Sequence, residues 1–327
     1  MNMLTRVGVV IIGRNEGERL QNCIKSLVNQ ASQLVYVDSG STDNSVSVAR
    51  QLGAEVVALD MSIPFTAARA RNEGFALLKK LYPHVEFVQF VDGDCEVVST
   101  WIERAIVFLD MHIEVAATCG RRRERFPDKT IYNKLCDIEW NTPIGETKAC
   151  GGDVLMRVIA FENAGGYRAD LIAGEEPELC VRYRAAGWKI WRLDEEMTLH
   201  DAAMTRFSQW WKRTMRAGHA FAEGAYLHGA PPEKHWVSET RRAWVWGFII
   251  PMFALILMFI CIQWGLLFLL IYPFQITRIA LSNPNKGKIS WVSAFFLVLG
   301  KFPEMLGQFK FYQRLRSGKQ GRLIEYK

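Results

Sequence analysis

A run of apolar, largely β-branched residues spans Val7–Gly13, and runs of the same kind return at Leu34–Asp38, Glu55–Ala58, Glu86–Val91 and Val115–Cys119. Each is short and bounded by polar or turn-forming residues, so each is predicted to be a strand. The stretches between them, 16–29, 43–52, 66–80 and 99–110, mix polar and apolar positions at helical spacing and are predicted helices. Strands alternating with helices imply an α/β fold with a mostly parallel sheet and helices on both faces. Ligands of such sheets gather beyond the carboxyl ends of the strands. Arg14-Asn15-Glu16, Asp38-Ser39-Gly40-Ser41 and Asp92-Gly93-Asp94 each follow an apolar strand directly, so one sheet edge is expected to collect all three.

The pattern changes near residue 241. No charged residue falls between Arg242 and Arg278. A hydrocarbon core about 30 Å thick takes roughly 20 helical residues, so the gap is too long for one crossing. Gln263, with Trp264 and Gly265 beside it, divides it into two segments, 243–261 and 265–280, which read as a transmembrane helical hairpin. A buried pair of core helices is the alternative. Arg241 and Arg242 precede the gap while Arg278, Lys286 and Lys288 follow it, which puts both ends on the cytoplasmic side. Farther on, Phe302, Met305, Leu306, Phe309, Tyr312 and Leu315 recur at helical spacing with Lys310, Arg314 and Arg316 among them. An apolar stripe with cationic flanks suits an interfacial amphipathic helix lying in the headgroup layer, and equally a helix packed on the body. The chain is thus expected to divide into a catalytic body, 1–240, and a membrane-anchoring region, 241–327, whose amphipathic basic tail is 289–327.

Composition adds to this in two ways. The net charge is +6 over 327 residues, yet residues 301–327 alone carry four Lys, three Arg and two Glu. Basicity therefore belongs to one end, and nothing in the body asks for a nucleic acid polymer. Cys23, Cys95, Cys119, Cys136, Cys150, Cys180 and Cys261 form no CxxC pair and no zinc-like Cys/His spacing, as expected of reduced thiols in a cytosolic compartment. The apolar run Val7–Ile12 is too short for the core of a signal peptide, so the body is expected to remain where it is made.

Candidate chemistry starts at Asp92-Gly93-Asp94. Two carboxylates separated by one small residue at a strand end can approach a hard divalent cation, and the glycine lets backbone come close to a ligand. Asp-Gly is also a common turn dipeptide. The surroundings carry more weight. Val9-Val10-Ile11-Ile12-Gly13-Arg14-Asn15-Glu16, Val37-Asp38-Ser39-Gly40-Ser41-Thr42-Asp43, Ala70-Arg71-Asn72-Glu73-Gly74 and the aspartate triplet follow in order. Cys150-Gly151-Gly152, Gly165-Gly166-Tyr167, Gly174-Glu175-Glu176-Pro177-Glu178-Leu179 and Arg182 come after them. Over roughly 7–220 this series resembles the family 2 glycosyltransferases, inverting enzymes of the Rossmann-like GT-A fold. Two positions depart from the usual pattern. Ser39 stands where a second aspartate is common, which leaves the donor's base open, and Ile12 replaces a proline.

The resemblance implies a nucleotide-diphosphate sugar, UDP- or GDP-linked, as donor. Asn15, Glu16, Asp38, Ser39, Arg71, Asp92, Gly93 and Gly152 would line its site. Asp94, Asp92 and His200 would hold a divalent cation, Mg or Mn. Glu176 occupies the place of the family's base, with Glu175 beside it; the same acids also suit a helix N-terminus with Pro177 in its first turn. Trp140, Arg182, Gln209, Trp210 and Arg213 are acceptor candidates. Gln209-Trp210-Trp211-Lys212-Arg213 differs from the Gln-x-x-Arg-Trp motif of processive synthases, which implies one sugar per encounter. Arg121-Arg122-Arg123-Glu124-Arg125 is a solvated basic loop or a contact for an acceptor diphosphate. The expected protein moves a single sugar to a lipid-linked or polysaccharide acceptor at the cytoplasmic face of the cell inner membrane, in contact with lipid. Two other readings stand beside it: a polyprenyl-phosphate sugar synthase, and a non-catalytic membrane sensor or scaffold for nucleotide sugars.

Overall fold

The computed structural model describes residues 3–283 and 287–318, which form two compact units, 3–205 and 206–318. In the first unit, strand β1 (Val7–Gly13) is buried almost throughout, and its alternating side chains feed two separate cores. Val7, Val9 and Ile11 pack with Leu20, Cys23, Ile24 and Leu27 of helix Glu18–Leu27 and with Trp101, Ile102, Ile106 and Leu109 of helix Trp101–Met111. Val10 and Ile12 pack with Ala68, Ala70 and Leu78 of helix Ala67–Leu81 and with Leu179, Cys180 and Tyr183 of helix Glu175–Ala185. A strand covered on both faces must be apolar at every position, which is why this run shows no alternation. Each fully buried aliphatic side chain contributes about 1.5–3 kcal/mol.

The other strands are β2 (Gln33–Asp38), β3 (Glu55–Ala58), β4 (Phe87–Asp92), β5 (Cys95–Val97), β6 (Val115–Glu124), β7 (Gly145–Glu146), β8 (Val154–Arg157) and β9 (Lys189–His200). Their order across the sheet is β3-β2-β1-β4-β8-β6-β9-β5, with β7 also on β9. The half containing β3, β2, β1 and β4 is parallel. Beyond β4 the sheet is mixed: β4/β8, β6/β8, β5/β9 and β7/β9 are antiparallel, and β6/β9 is parallel. The expectation of a mostly parallel sheet therefore holds for the first half only. The neighbour of β4 on that side is β8, which runs against both β4 and β6 and so ends the parallel run.

Register explains how the polar clusters meet. Gly13 pairs with Asp38 and Ile12 with Asp92, so the ends of β2, β1 and β4 finish level with one another. Glu124 pairs with His200 across β6/β9, and Cys95 with His200 across β5/β9.

The second unit is helical. Helix Phe207–His228 packs against helix Lys301–Ser317 with backbones nearly in contact. A Cβ on Gly218 would lie 2.0 Å from the Glu304 carbonyl oxygen, and one on Gly307 would lie 1.9 Å from that of Met215. Arg314 is paired with Glu223 across the same interface. Among the described residues, three helices are long and apolar enough to cross a membrane: Val237–Ile260, Ile262–Ser282 and Lys288–Ser317. The break between the first two falls at the extended residue Cys261, two positions before Gln263. A Cβ on Gly265 would sit 2.8 Å from the Ala254 carbonyl oxygen, so the glycine allows these two helices to close on each other. The third was expected to lie in the membrane plane, and its length and composition also suit a crossing. Of the stripe that motivated that expectation, Leu306, Phe309, Tyr312 and Leu315 are 36–56% exposed, while Pro303, Glu304, Gly307, Gln308 and Phe311 are buried. The part of the basic tail beyond 318 lies outside the described residues.

Candidate active site

The first wall of the site is made by the turns after β1 and β2. Asn15 has a positive φ of 56°, and its side-chain oxygen accepts from the Thr42 N–H at 2.7 Å. Asp38 Oδ2 accepts from the N–H groups of Gly40 (3.1 Å) and Ser41 (2.9 Å), and Oδ1 accepts from the Tyr36 hydroxyl (3.1 Å). The short polar side chains thus bind local backbone and hold the two turns together. Ser39 is buried at 2% exposure, and its hydroxyl has no hydrogen-bond partner among the described residues. Glu16 is paired with Arg19 at 2.7 Å.

The centre is Arg71. Its guanidinium, 3% exposed, donates to Asp92 Oδ1 and to Glu175 Oε1, both at 2.7 Å. Burial works against the charge, but the Asp92 and Glu175 carboxylates outweigh it and raise the arginine's pKa. A Cβ on Gly152 would stand 2.8 Å from Arg71 Nη2 and 3.2 Å from Asp92 Oδ2. The glycine therefore leaves room for the pair, and a Cβ on Gly93 would likewise stand 3.2 Å from the Ile12 carbonyl oxygen.

Glu175 and Glu176 begin one helix but face different partners. Glu176 is 2% exposed; it accepts from the N–H of Cys150 (2.7 Å) and Gly151 (2.8 Å) and from the Cys180 thiol (2.9 Å). Burial raises its pKa, opposed by those hydrogen bonds. Glu175 keeps a partly exposed side chain on Arg71.

The last wall is β5 and β9. Asp94 is 6% exposed, and its Oδ2 lies 3.4 Å from His200 Nε2. Burial first, then the nearby Arg122, lowers the His200 pKa to about 4, so the ring is neutral at pH 7. Its Nδ1 is buried with no hydrogen-bond partner among the described residues. Trp140 meets the ring edge-on, with centroids 4.9 Å apart, and Arg122 lies over Trp140 at 5.5 Å.

The predicted acceptor residues other than Trp140 make contacts of their own. Arg182 is paired with Glu178 at 2.7 Å and donates to the Ala164 carbonyl. Gln209, Trp210 and Arg213 belong to the second unit, where Gln209 caps its helix by accepting from the Arg206 N–H at 3.0 Å and Trp210 packs on Phe296. One residue that the sequence reading did not single out supports the aspartate triplet. Asp153, fully buried, accepts from the Asp92 N–H (3.1 Å) and the Thr198 hydroxyl (2.9 Å) and pairs with Arg122 at 2.7 Å. Its place directly after Gly151-Gly152 was the available signal. Arg121 and Arg123, by contrast, are paired with Asp137.

A strand-end aspartate pair beside a buried arginine and a neutral histidine narrows the choice of family, and the sequence profile of Glycosyl transferase family 2 matches residues 8–172, about half of the chain. The chain belongs to glycosyl transferase family 2. Among curated members, the uncharacterized glycosyltransferase YibD of Escherichia coli K12 is 32% identical over 122 residues, which cover 36% of this chain and 34% of YibD. Glycosyltransferase AglE of Haloferax volcanii is 23% identical over 225 residues, 65% of this chain and 71% of AglE. The match to YibD thus spans about a third of that relative's length. Among solved structures, the mannosyltransferase PcManGT of Pyrobaculum calidifontis, in complex with GDP-Man and Mn2+, superposes with a TM-score of 0.57 at 17% identity. The superposition covers 94% of this chain and 87% of PcManGT, and it establishes a shared GT-A-like fold.

Proposed function

We propose that the protein is an inverting glycosyltransferase that moves a single sugar from a nucleotide-diphosphate sugar to a lipid-linked or polysaccharide acceptor at the cytoplasmic face of the cell inner membrane. The observation that carries this reading is the buried Arg71, which ties Asp92 to Glu175 and so joins a donor-binding edge to a candidate base. Family membership supports the reaction class, and PcManGT, solved with a nucleotide sugar and Mn2+, supports the donor class.

Asp94 and His200, with Asp92 at the rim, would hold a divalent cation, Mg or Mn. Asp94 and His200 fit one: a buried carboxylate and a neutral imidazole lie 3.4 Å apart, and His200 Nδ1 is an unsatisfied buried nitrogen. When bound, the cation supplies positive charge to a departing diphosphate. Asn15, Asp38 and the 38–43 turn face the nucleoside, while Arg71 orients Asp92 and adds positive charge beside the phosphates. Glu175 takes the acceptor hydroxyl's proton as that oxygen attacks the anomeric carbon opposite the diphosphate, and the configuration inverts. Glu176 holds the Cys150–Gly151 segment in place. Arg122 and Trp140 stand where an acceptor would approach, and the helices of 237–317 keep the body at the bilayer.

Release of nucleoside diphosphate from a panel of donors, with membrane extract as acceptor and with or without chelator, tests the proposal. Release should depend on acceptor and metal, and Asp94→Asn should abolish the metal-dependent part. Undiminished release by that variant would remove the reading.

A further inference from the structure

Cys95 directly follows the aspartate triplet and is wholly buried. It is also the β5 residue that pairs with His200 of β9 in an antiparallel register. Directly opposed residues of antiparallel strands project to the same face, with Cβ atoms about 4.5–5.5 Å apart. The thiol and the imidazole are therefore neighbours by construction. The Cys95 sulfur lies 3.7 Å from Asp94 Oδ1, and His200 Nε2 lies 3.4 Å from Asp94 Oδ2. One ligand atom from each of Asp94, Cys95 and His200 falls within 4.8 Å of the others. His200 is 7% exposed, and its Nδ1 finds no hydrogen-bond partner among the described residues. The positive charge of Arg122 nearby is answered by its own partner Asp153 at 2.7 Å.

We infer that Cys95 is a metal ligand, and that Asp94, Cys95 and His200 together take a borderline-soft divalent ion such as Zn2+ or Co2+ in preference to Mg2+. This rests on the reading of Asp94 and His200 as cation-binding residues and goes beyond it in assigning the sulfur. Mg2+ selects oxygen ligands in an octahedral shell, whereas a set of one sulfur, one nitrogen and one oxygen is a tetrahedral Zn2+ set with its fourth position open. As the metal–sulfur bond forms, the thiol proton leaves to solvent, so uptake of the ion releases one proton. A soft ion would thus compete at the position where the transfer reaction wants a hard one, and cellular Zn2+ would act on this enzyme through Cys95.

The test is spectroscopic and needs no turnover. Co2+ is added to the purified full-length protein in detergent without donor, and near-ultraviolet absorption reports thiolate-to-metal charge transfer. The native protein should show that band, and Zn2+ should bleach it. Cys95→Ser should lose it, while Cys261→Ser, altered far along the chain, should keep it. Loss of an outer partner alone costs ~10–100-fold in metal affinity, so loss of the sulfur should weaken Zn2+ at least that much while leaving Mn2+ binding nearly unchanged. Retained Mn2+ binding also shows that the variant is folded, and Cys95→Ala serves if the serine variant is unstable. Absence of the band in the native protein, or its survival in Cys95→Ser, overturns the inference. Either result with intact Mn2+-dependent transfer leaves the glycosyltransferase reading standing, whereas loss of both Mn2+ binding and transfer in the native protein removes that reading itself.

Discussion

Glu175 and Glu176 are chemically identical and adjacent, yet their surroundings give them different work. Both Glu176 oxygens already accept backbone N–H groups, and the Cys180 thiol adds a third donor. In Glu176→Gln one acceptor oxygen becomes an NH2 that faces a backbone donor, and a buried donor left unsatisfied costs about 1–3 kcal/mol. The expected result is a lower melting temperature and a higher KM as the 150–152 segment loosens, with kcat largely kept. Glu175→Gln should instead lower kcat by about 10²–10⁴-fold, because it removes a positioned proton acceptor, with a stability loss that comes only from its ion pair with Arg71. Steady-state rates and thermal unfolding of both variants check this, and the opposite split would return the base to Glu176. At this scale the sequence was informative wherever a family motif names a residue, as with Asp92, Asp94 and Arg71. It was silent on which of two neighbouring acids turns inward, since that depends on where the Cys150–Gly151 backbone lies. Asp153 escaped notice for the same reason: a carboxylate becomes a keystone only when its partners, Asp92, Arg122 and Thr198, come from three distant strands.

At the scale of elements, the first strands and helices could be read almost to the residue because β1, β2 and β4 of the parallel half are buried, largely apolar runs between polar turns, with only the edge strand β3 exposed. Beyond β4, the predicted apolar run Val115–Cys119 apart, the strands are short, such as Cys95–Val97 and Gly145–Glu146, or carry many charges, such as Lys189–His200, and no alternation announces them. The helix pair of the second unit depended on a different signal, the small residues. Gly218 and Gly307 sit where the two backbones touch, so a side chain at either would force the helices apart. Gly307→Val should therefore cost about 1–3 kcal/mol or more, since overpacking of a closed interface has at least that penalty. Hydrogen exchange of Phe207–His228 should accelerate in the variant. Unchanged protection there would mean that this interface does not hold the unit together.

At the scale of the whole chain, the proposed membrane reading turns on how many of the three described apolar helices cross. Length and composition allow all three, but packing argues for two. Helix Lys301–Ser317 lies backbone to backbone on Phe207–His228, which carries Lys212, Arg213, Arg216 and Glu223 and is no candidate for a hydrocarbon interior. A helix held against such a partner stays at the depth of that partner, with Leu306, Phe309, Tyr312 and Leu315 turned outward to the acyl boundary. On the proposed membrane reading, the hairpin Val237–Ile260 and Ile262–Ser282, long and apolar enough to cross, would span and return with its turn at Cys261 on the far side. Cys261 is partly exposed, whereas Cys23, Cys95, Cys119, Cys136 and Cys180 are buried. A membrane-impermeant maleimide applied to intact spheroplasts should therefore label Cys261, and Cys261→Ser should abolish the labelling. A reporter fused after Lys327 should read cytoplasmic, since an even number of crossings returns the chain to the side of Arg241 and Arg242. A reporter that reads external would establish a third crossing and would detach helix Lys301–Ser317 from its charged neighbour, which the Gly218 and Gly307 contacts oppose.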